Sequence, residues 1–184
     1  MSTSSARCIV VGEAALTLQC SHAIIEAGCE VVGVFTRDPA LLAWAKGRSI
    51  HAQSPDLLAE FAEHHPFDYL FSIVNGRIIP EAVLAKARMA AINFHDGPLP
   101  RYAGFFSTTW ALLNREREYG VSWHRMTGEI DAGEIVRQRL FPVSEAETAF
   151  TLNAKCYEAG LISFGEMIGE ISHGSLSLVR QDLS

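Results

Sequence analysis

The sequence predicts an α/β fold: an open, mostly parallel sheet with helices on both faces. Three observations point there. Short apolar runs of strand length alternate with stretches of helical period. The joints between them are tight, which suits strand-helix-strand units rather than hairpins. Helix start and stop residues stand where the period changes.

Taken in order, "CIVVGE" is a short apolar run ending at Gly12. "AALTLQCSHAIIEAG" places Leu16, Cys20, Ala23 and Ala27 at helical spacing, with Gly28 as its C-terminal cap. "EVVGVFTRD" is again a strand, so the first three elements form a parallel pair with a right-handed crossover. "DPALLAWAKG" offers Asp38 as N-cap, Pro39 at the first helical position and Gly47 as terminator, and "SPDLLAEFAEHH" repeats the device with Ser54 and Pro55. "FDYLFSIV" reads as a central strand, "IIPEAVLAKAR" as a short helix and "MAAINFH" as the next strand. "STTWALLNRE" is helical, and "YGVSWHRM" and "EIVRQRLFPV" are paired strands joined by the turn-rich "TGEIDAG". The final helix carries Tyr157, Leu161, Phe164, Ile168 and Ile171 on one stripe and stops at Gly174. The alternation is that of a Rossmann-like sheet, in which ligands sit beyond the carboxyl ends of the strands. Asn75 to Pro80 and Asn93 to Asp96 both fall at that edge.

At 184 residues the chain suits one domain, long enough to bury roughly two-thirds of its unfolded surface. Its apolar runs are too short to cross a bilayer and its start lacks a signal-peptide pattern, so a soluble cytoplasmic protein without membrane contact is expected. The net charge of −6 provides no basic field for nucleic acid. Cysteines 8, 20, 29 and 156 form no CxxC pair and read as buried free thiols; the histidines lack metal-ligand spacing, so no metal is expected. "VGEAALTLQ" has one glycine followed by Glu13 where a phosphate-binding turn needs several, and a carboxylate there repels phosphate. No GxSxG elbow occurs.

The stretch "INFHDGPLPRYAG" is where chemistry concentrates. Asn93 and His95 lie two apart on a strand and share a face, and a rigid loop with Pro98, Pro100 and Gly104 follows at the ligand edge. Asp131 occupies a glycine-bracketed turn in "GEIDAGE". Taken singly, each also suits a structural role: backbone satisfaction for Asn93 and His95, an Asx turn for Asp131.

Together, "INFHDGPLPRYAG", "WALLNRE", "GVSWHRM" and "EIDAGEI" resemble the catalytic domain of the folate-dependent formyltransferases, the family that includes methionyl-tRNA and glycinamide ribonucleotide formyltransferases. The likeness runs from Cys8 to about Gly174 and is specific in residues 90 to 138. It implies a Rossmann-like formyltransferase fold and places the family's catalytic Asn-x-His on Asn93 and His95. Its aspartate falls on Asp131, in an Asp-x-Gly turn with Gly133, 131 − 95 = 36 positions on. It further implies 10-formyltetrahydrofolate as formyl donor. The pterin would lie near Asn75, Gly76, Arg77, Ile78 and Ile79 and the turn with Gly133. Isoleucines there also suit core packing, and Arg77 either meets a carboxylate or points into water. Tyr102, Phe105 and Phe106 either shape an acceptor entrance or pack the loop; His124 is expected to be structural or to support a site residue.

Within the family, "FDYLFSIVN", "INFHDGPLPRYAG" and "ETAFTLNAKCYEAG" are most similar to formyltransferase domains of nonribosomal peptide and mixed polyketide synthetases. This implies an amine acceptor on an aminoacyl unit of a peptidyl carrier protein, with residues 1–184 forming a single catalytic domain that either works alone or belongs to a larger synthetase. The missing C-terminal barrel and glycine-rich loop argue against tRNA and ribonucleotide acceptors. Asp96 and Gly97 depart from the family's proline and serine, which sets an additional carboxylate beside the site. A hydrolase releasing formate from the same donor, or a binding module without turnover, are the alternative readings.

Overall fold

The computed structural model describes residues 5–182. Its strands are β1 (Arg7–Gly12), β2 (Glu30–Phe35), β3 (Ala52–Gln53), β4 (Phe67–Ile73), β5 (Ala87–His95), β6 (Glu118–Arg125) and β7 (Ile135–Pro142). Its helices are α1 (Ala14–Glu26), α2 (Pro39–Gly47), α3 (Leu58–His64), α4 (Glu81–Leu84), α5 (Ser107–Leu113) and α6 (Ala149–Ser172). The strands form one sheet in the order β3-β2-β1-β4-β5-β6-β7. From β3 to β5 every pairing is parallel, and β6 and β7 are added antiparallel. This is the mostly parallel, Rossmann-like sheet expected from the alternation.

Alternate side chains of each strand feed two cores. Val10, Phe71, Ile92, Phe94 and Trp123 pack against α1, α2 and α6. Ile9, Val11, Leu70 and Ala91 pack against α3 and α4 on the other face. Phe164 of α6 is fully buried, with ring centroids 5.2 Å from Phe71 and 4.9 Å from Trp123. The Trp123 indole donates to Ser163 Oγ at 3.1 Å, so the large ring is buried without an orphaned donor.

Local signals hold with small shifts. Asp38 accepts from the Ala40 N–H at 2.8 Å and Pro39 starts α2, but α2 runs through Gly47; the left-handed residue that ends it is Ser49, with φ 57°. The stripe of α1 is rotated: Ile24 is buried with Leu16 and Cys20, whereas Ala23 is only partly covered. β3 has two residues, too few to show a period. α6 begins in a capping box between Thr148 and Thr151. All four cysteines are buried, and no helix among the described residues is long and apolar enough to cross a membrane.

Phe164 joins sheet and helix in the larger core. Phe164→Ala is expected to destabilise the protein by about 3–5 kcal/mol, read by denaturant unfolding. A loss below about 1 kcal/mol would show that this contact is not central to the core.

Candidate functional site

β5 has a divided character. Ile92 and Phe94 turn towards α6, so Ala91, Asn93 and His95 face the opposite side. The antiparallel register with β6 sets His124 beside Asn93 and Ser122 beside His95, which gathers four polar side chains on one face. The loop 126–134 then folds back over that face and carries Asp131 to them.

The resulting contacts form one chain. Asn93 Nδ2 lies 3.2 Å from His124 Nε2, and His124 Nε2 lies 3.3 Å from Asp131 Oδ1. Asp131 Oδ2 is 3.5 Å from His95 Nδ1 and accepts the Gly104 N–H at 2.9 Å. His95 Nε2 is 2.7 Å from the Tyr102 carbonyl; a carbonyl only accepts, so this nitrogen carries hydrogen and Nδ1 is the one that turns to Asp131. By the same reasoning His124 Nδ1 donates to the Arg125 carbonyl at 3.1 Å. His124 Nε2 therefore sits between a donor and an acceptor: bare, it accepts from Asn93; protonated, it pairs with Asp131. Asn93 also donates to the Phe94 carbonyl at 3.0 Å. The three residues singled out in the sequence are thus brought together, and His124 joins them as a direct link rather than a distant support.

Burial alone would raise the Asp131 carboxyl. The hydrogen bond with His124, the nearby His95 ring and the Gly104 N–H outweigh it and hold the carboxyl below its ordinary value. The loop that presents it is strained and close-packed. Asp131 has φ 55°, a left-handed conformation that costs a non-glycine residue roughly 1 kcal/mol. A Cβ on Gly133 would stand 1.9 Å from the Arg125 carbonyl oxygen, so only glycine fits there.

Other polar residues fix the loop after β5. Ser122 Oγ donates to the Gly97 carbonyl and accepts the Leu99 N–H, Gln138 donates to Ser122 Oγ and the Leu99 carbonyl, and the Tyr119 hydroxyl donates to the Asp96 carbonyl. Burial, with the Asp96 charge as the second cause, pushes the Tyr119 phenol and the Cys156 thiol up.

The segment after β4 is built differently from the expectation. Asn75 spends its side chain on the turn itself: Oδ1 accepts the Arg77 N–H, and Nδ2 donates to Ser72 Oγ and the Arg77 carbonyl. Arg77 is half-exposed, and its guanidinium is paired with Asp56, which also takes Arg37. Ile79 is core at 6% exposure, whereas Ile78 is 85% exposed. A cavity of about 220 Å³ adjoins this turn, lined in part by Val11, Asn75, Arg77 and Ile79. Gly76 has open space over its Cα. The turn lies near the Asp131 loop, since a Cβ on Gly128 would be 3.7 Å from Glu81 Oε2 at the start of α4.

The first βα turn is closed by acids. Glu13 accepts the Arg37 N–H at 2.9 Å and the Thr36 hydroxyl at 3.1 Å, and Asp38 Oδ2 accepts the Ala14 N–H at 3.0 Å. Two carboxylates occupy the place where such sheets hold phosphate. Among the described residues no cluster of three His, Cys, Asp or Glu side chains is arranged around a metal position.

Because Asp131 is depressed in the folded state, its charge contributes stability that is present above the ordinary aspartate value of about 3.9 and lost as pH falls through the folded value. Urea unfolding from pH 6 to pH 2 should show Asp131→Asn losing less stability on acidification than the wild type. Parallel pH profiles would mean that the carboxylate is not held by these partners.

The formyl transferase family matches residues 21–168 of the chain. In solved structures, the chain resembles glycinamide ribonucleotide transformylase 1 from Symbiobacterium toebii at 21% identity and TM-score 0.83, over 97% of this chain and 95% of that one. It resembles the N-formyltransferase from Helicobacter canadensis at 24% identity and TM-score 0.79, over 98% of this chain and 68% of that one. It also resembles HypX from Aquifex aeolicus at 24% identity and TM-score 0.74, over 97% of this chain and 29% of that one. At these identities the likenesses speak for the fold, and the match over residues 21–168 speaks for descent: the chain belongs to the formyl transferase family.

Proposed function

We propose that this protein transfers a formyl group from 10-formyltetrahydrofolate to an amine by direct attack through a tetrahedral intermediate. The observation that carries the reading is the chain of polar contacts from Asn93 through His124 and Asp131 to His95. Family membership supports the reaction class. The Helicobacter canadensis structure is described with folinic acid and the Aquifex aeolicus HypX structure with tetrahydrofolic acid, which supports a folate donor.

The tetrahedral intermediate carries a negative oxygen and needs donors. Asn93 supplies an amide hydrogen in competition with the Phe94 carbonyl, and the His95 ring, with Nδ1 3.5 Å from Asp131, supplies a second donor. One well-placed oxyanion donor is worth about 3 kcal/mol, on the order of a hundredfold in rate. Asp131 stabilises charge on the imidazoles and takes the proton that the attacking amine must lose; the departing folate nitrogen gains one. The pterin would lie along Asn75, Gly76, Arg77, Ile78 and Ile79 and the turn at Gly133. There the ligand is read by backbone groups and the exposed Ile78, since Asn75 and Arg77 are engaged within the protein.

For the acceptor, we favour an aminoacyl group on a peptidyl carrier protein, with the chain acting as one catalytic domain of a larger synthetase. The acid-closed βα turn disfavours a phosphorylated acceptor. Directly after Gly104, whose N–H meets Asp131, Phe105 is 76% and Phe106 77% exposed, and Phe106, Trp110 and Leu113 continue along one face of α5. Exposed apolar surface of this kind suits a macromolecular acceptor better than a sugar.

The test is mass spectrometry after incubation with 10-formyltetrahydrofolate and a panel of aminoacyl carrier proteins, sugar amines and glycinamide ribonucleotide. Formylation of the carrier-bound amine is expected. Formylation of a sugar amine or the ribonucleotide instead would overturn the acceptor assignment, and formate release or no product with every amine would overturn the transfer reaction. Asn93→Ala, His95→Ala and Asp131→Ala should each lower kcat/KM by about 10²–10⁴.

A further inference from the structure

We propose that Gln181, in the segment after α6, is a positioning residue that clamps the Asp131 loop into its active shape. Val179 and Ile135 exchange both backbone hydrogen bonds at 2.8 Å, which fastens this segment to the outer edge of β7. Two residues on, Gln181 is only 9% exposed and its Nε2 donates to the carbonyls of Asp131 at 2.8 Å and Gly133 at 2.6 Å. Two acceptors at these distances fix the orientation of the amide, because a carbonyl oxygen turned towards them would be repelled. Gln181 lies beyond residues 21–168, the part matched by the family, so the clamp comes from outside that shared region.

The loop needs such a tie. Asp131 holds a left-handed φ, a conformation that persists only where its surroundings over-determine it. Gly104 secures the carboxylate, and Gln181 secures the backbone on which the carboxylate stands. Gln181 spans Ala132 with one amide group, so residues 131 and 133 cannot separate or rotate independently. Losing it leaves two inward carbonyls without donors and allows the aspartate to swing off the two imidazoles.

The proposal rests on the formyl-transfer reading for its catalytic half, and the test separates the two. Turnover of the full chain is measured first for the wild type, then for Gln181→Met, which keeps length but not the donor, and for Gln181→Glu. Gln181→Met should lose ten- to a hundredfold in kcat, and amides in residues 127–135 should exchange at least tenfold faster while the core keeps its protection. Gln181→Glu, when ionised, repels both carbonyls; protonated, it regains one donor. Its activity relative to the wild type should therefore rise as pH is lowered from 8 to 6, which a purely structural role would not produce. Wild-type kcat and wild-type exchange in both variants, or a flat activity ratio across pH, would overturn the clamp. If the wild type itself gives no turnover, the transfer reading fails, and the exchange of residues 127–135 still decides whether Gln181 holds the loop. Should Gln181→Met not fold, Gln181→Glu studied across pH provides both readouts.

Discussion

A nearly buried carboxylate on a left-handed residue organises the candidate site. Moving such a charge out of water is costly unless opposite charge or hydrogen bonds replace the lost hydration. Asp131 meets that requirement with two imidazoles and one backbone N–H, and each partner is delivered by a different element: His95 by β5, His124 by β6 and Gly104 by the loop before α5. The carboxylate therefore ties the loop before α5 to two side chains that the β5–β6 pairing already brings together. Without it, two histidines would face each other across 6.4 Å between ring centroids with nothing to share.

The sheet makes this convergence possible. Parallel strands bring the end of β5 to the ligand edge, and the antiparallel β6 sets its own alternate residues opposite those of β5. Hydrophobic side chains take one face and anchor it on α6, leaving the other for Asn93, His95 and His124. A one-residue slip between β5 and β6 would send His124 into the apolar core. Phe94, Trp123 and Phe164 thus fix the register of the polar face from the opposite side.

Most of the fold was legible in the sequence because strand and helix periods, and caps such as Asp38-Pro39, are local signals. The two-residue β3 and the exact end of α2 were not, since neither leaves a pattern longer than a turn. Asn93, His95 and Asp131 were legible as a constellation through spacing and family likeness, but the part of His124 was not: a histidine within an apolar strand reads the same whether it faces core or site, and only the register with β5 decides. Gln181 left no signal, because a glutamine in an aperiodic tail acquires its role entirely from tertiary contact. Arg77 shows the converse. Its place suggested a ligand, yet Asp56, distant in sequence, had already engaged it.

The β1–α1 turn follows the same economy of charge. Glu13 and Asp38 tie the β1–α1 turn to the end of β2, so negative charge is spent on closing a turn that other sheets leave open to phosphate. The candidate site is then arranged around one anion whose ionisation must persist in the folded protein. Carbon-13 NMR titration of the Asp131 carboxyl in the free protein measures this directly. The midpoint should lie below the ordinary value of about 3.9 and rise in His124→Phe; a wild-type midpoint at or above that value, unmoved by the substitution, would contradict the account.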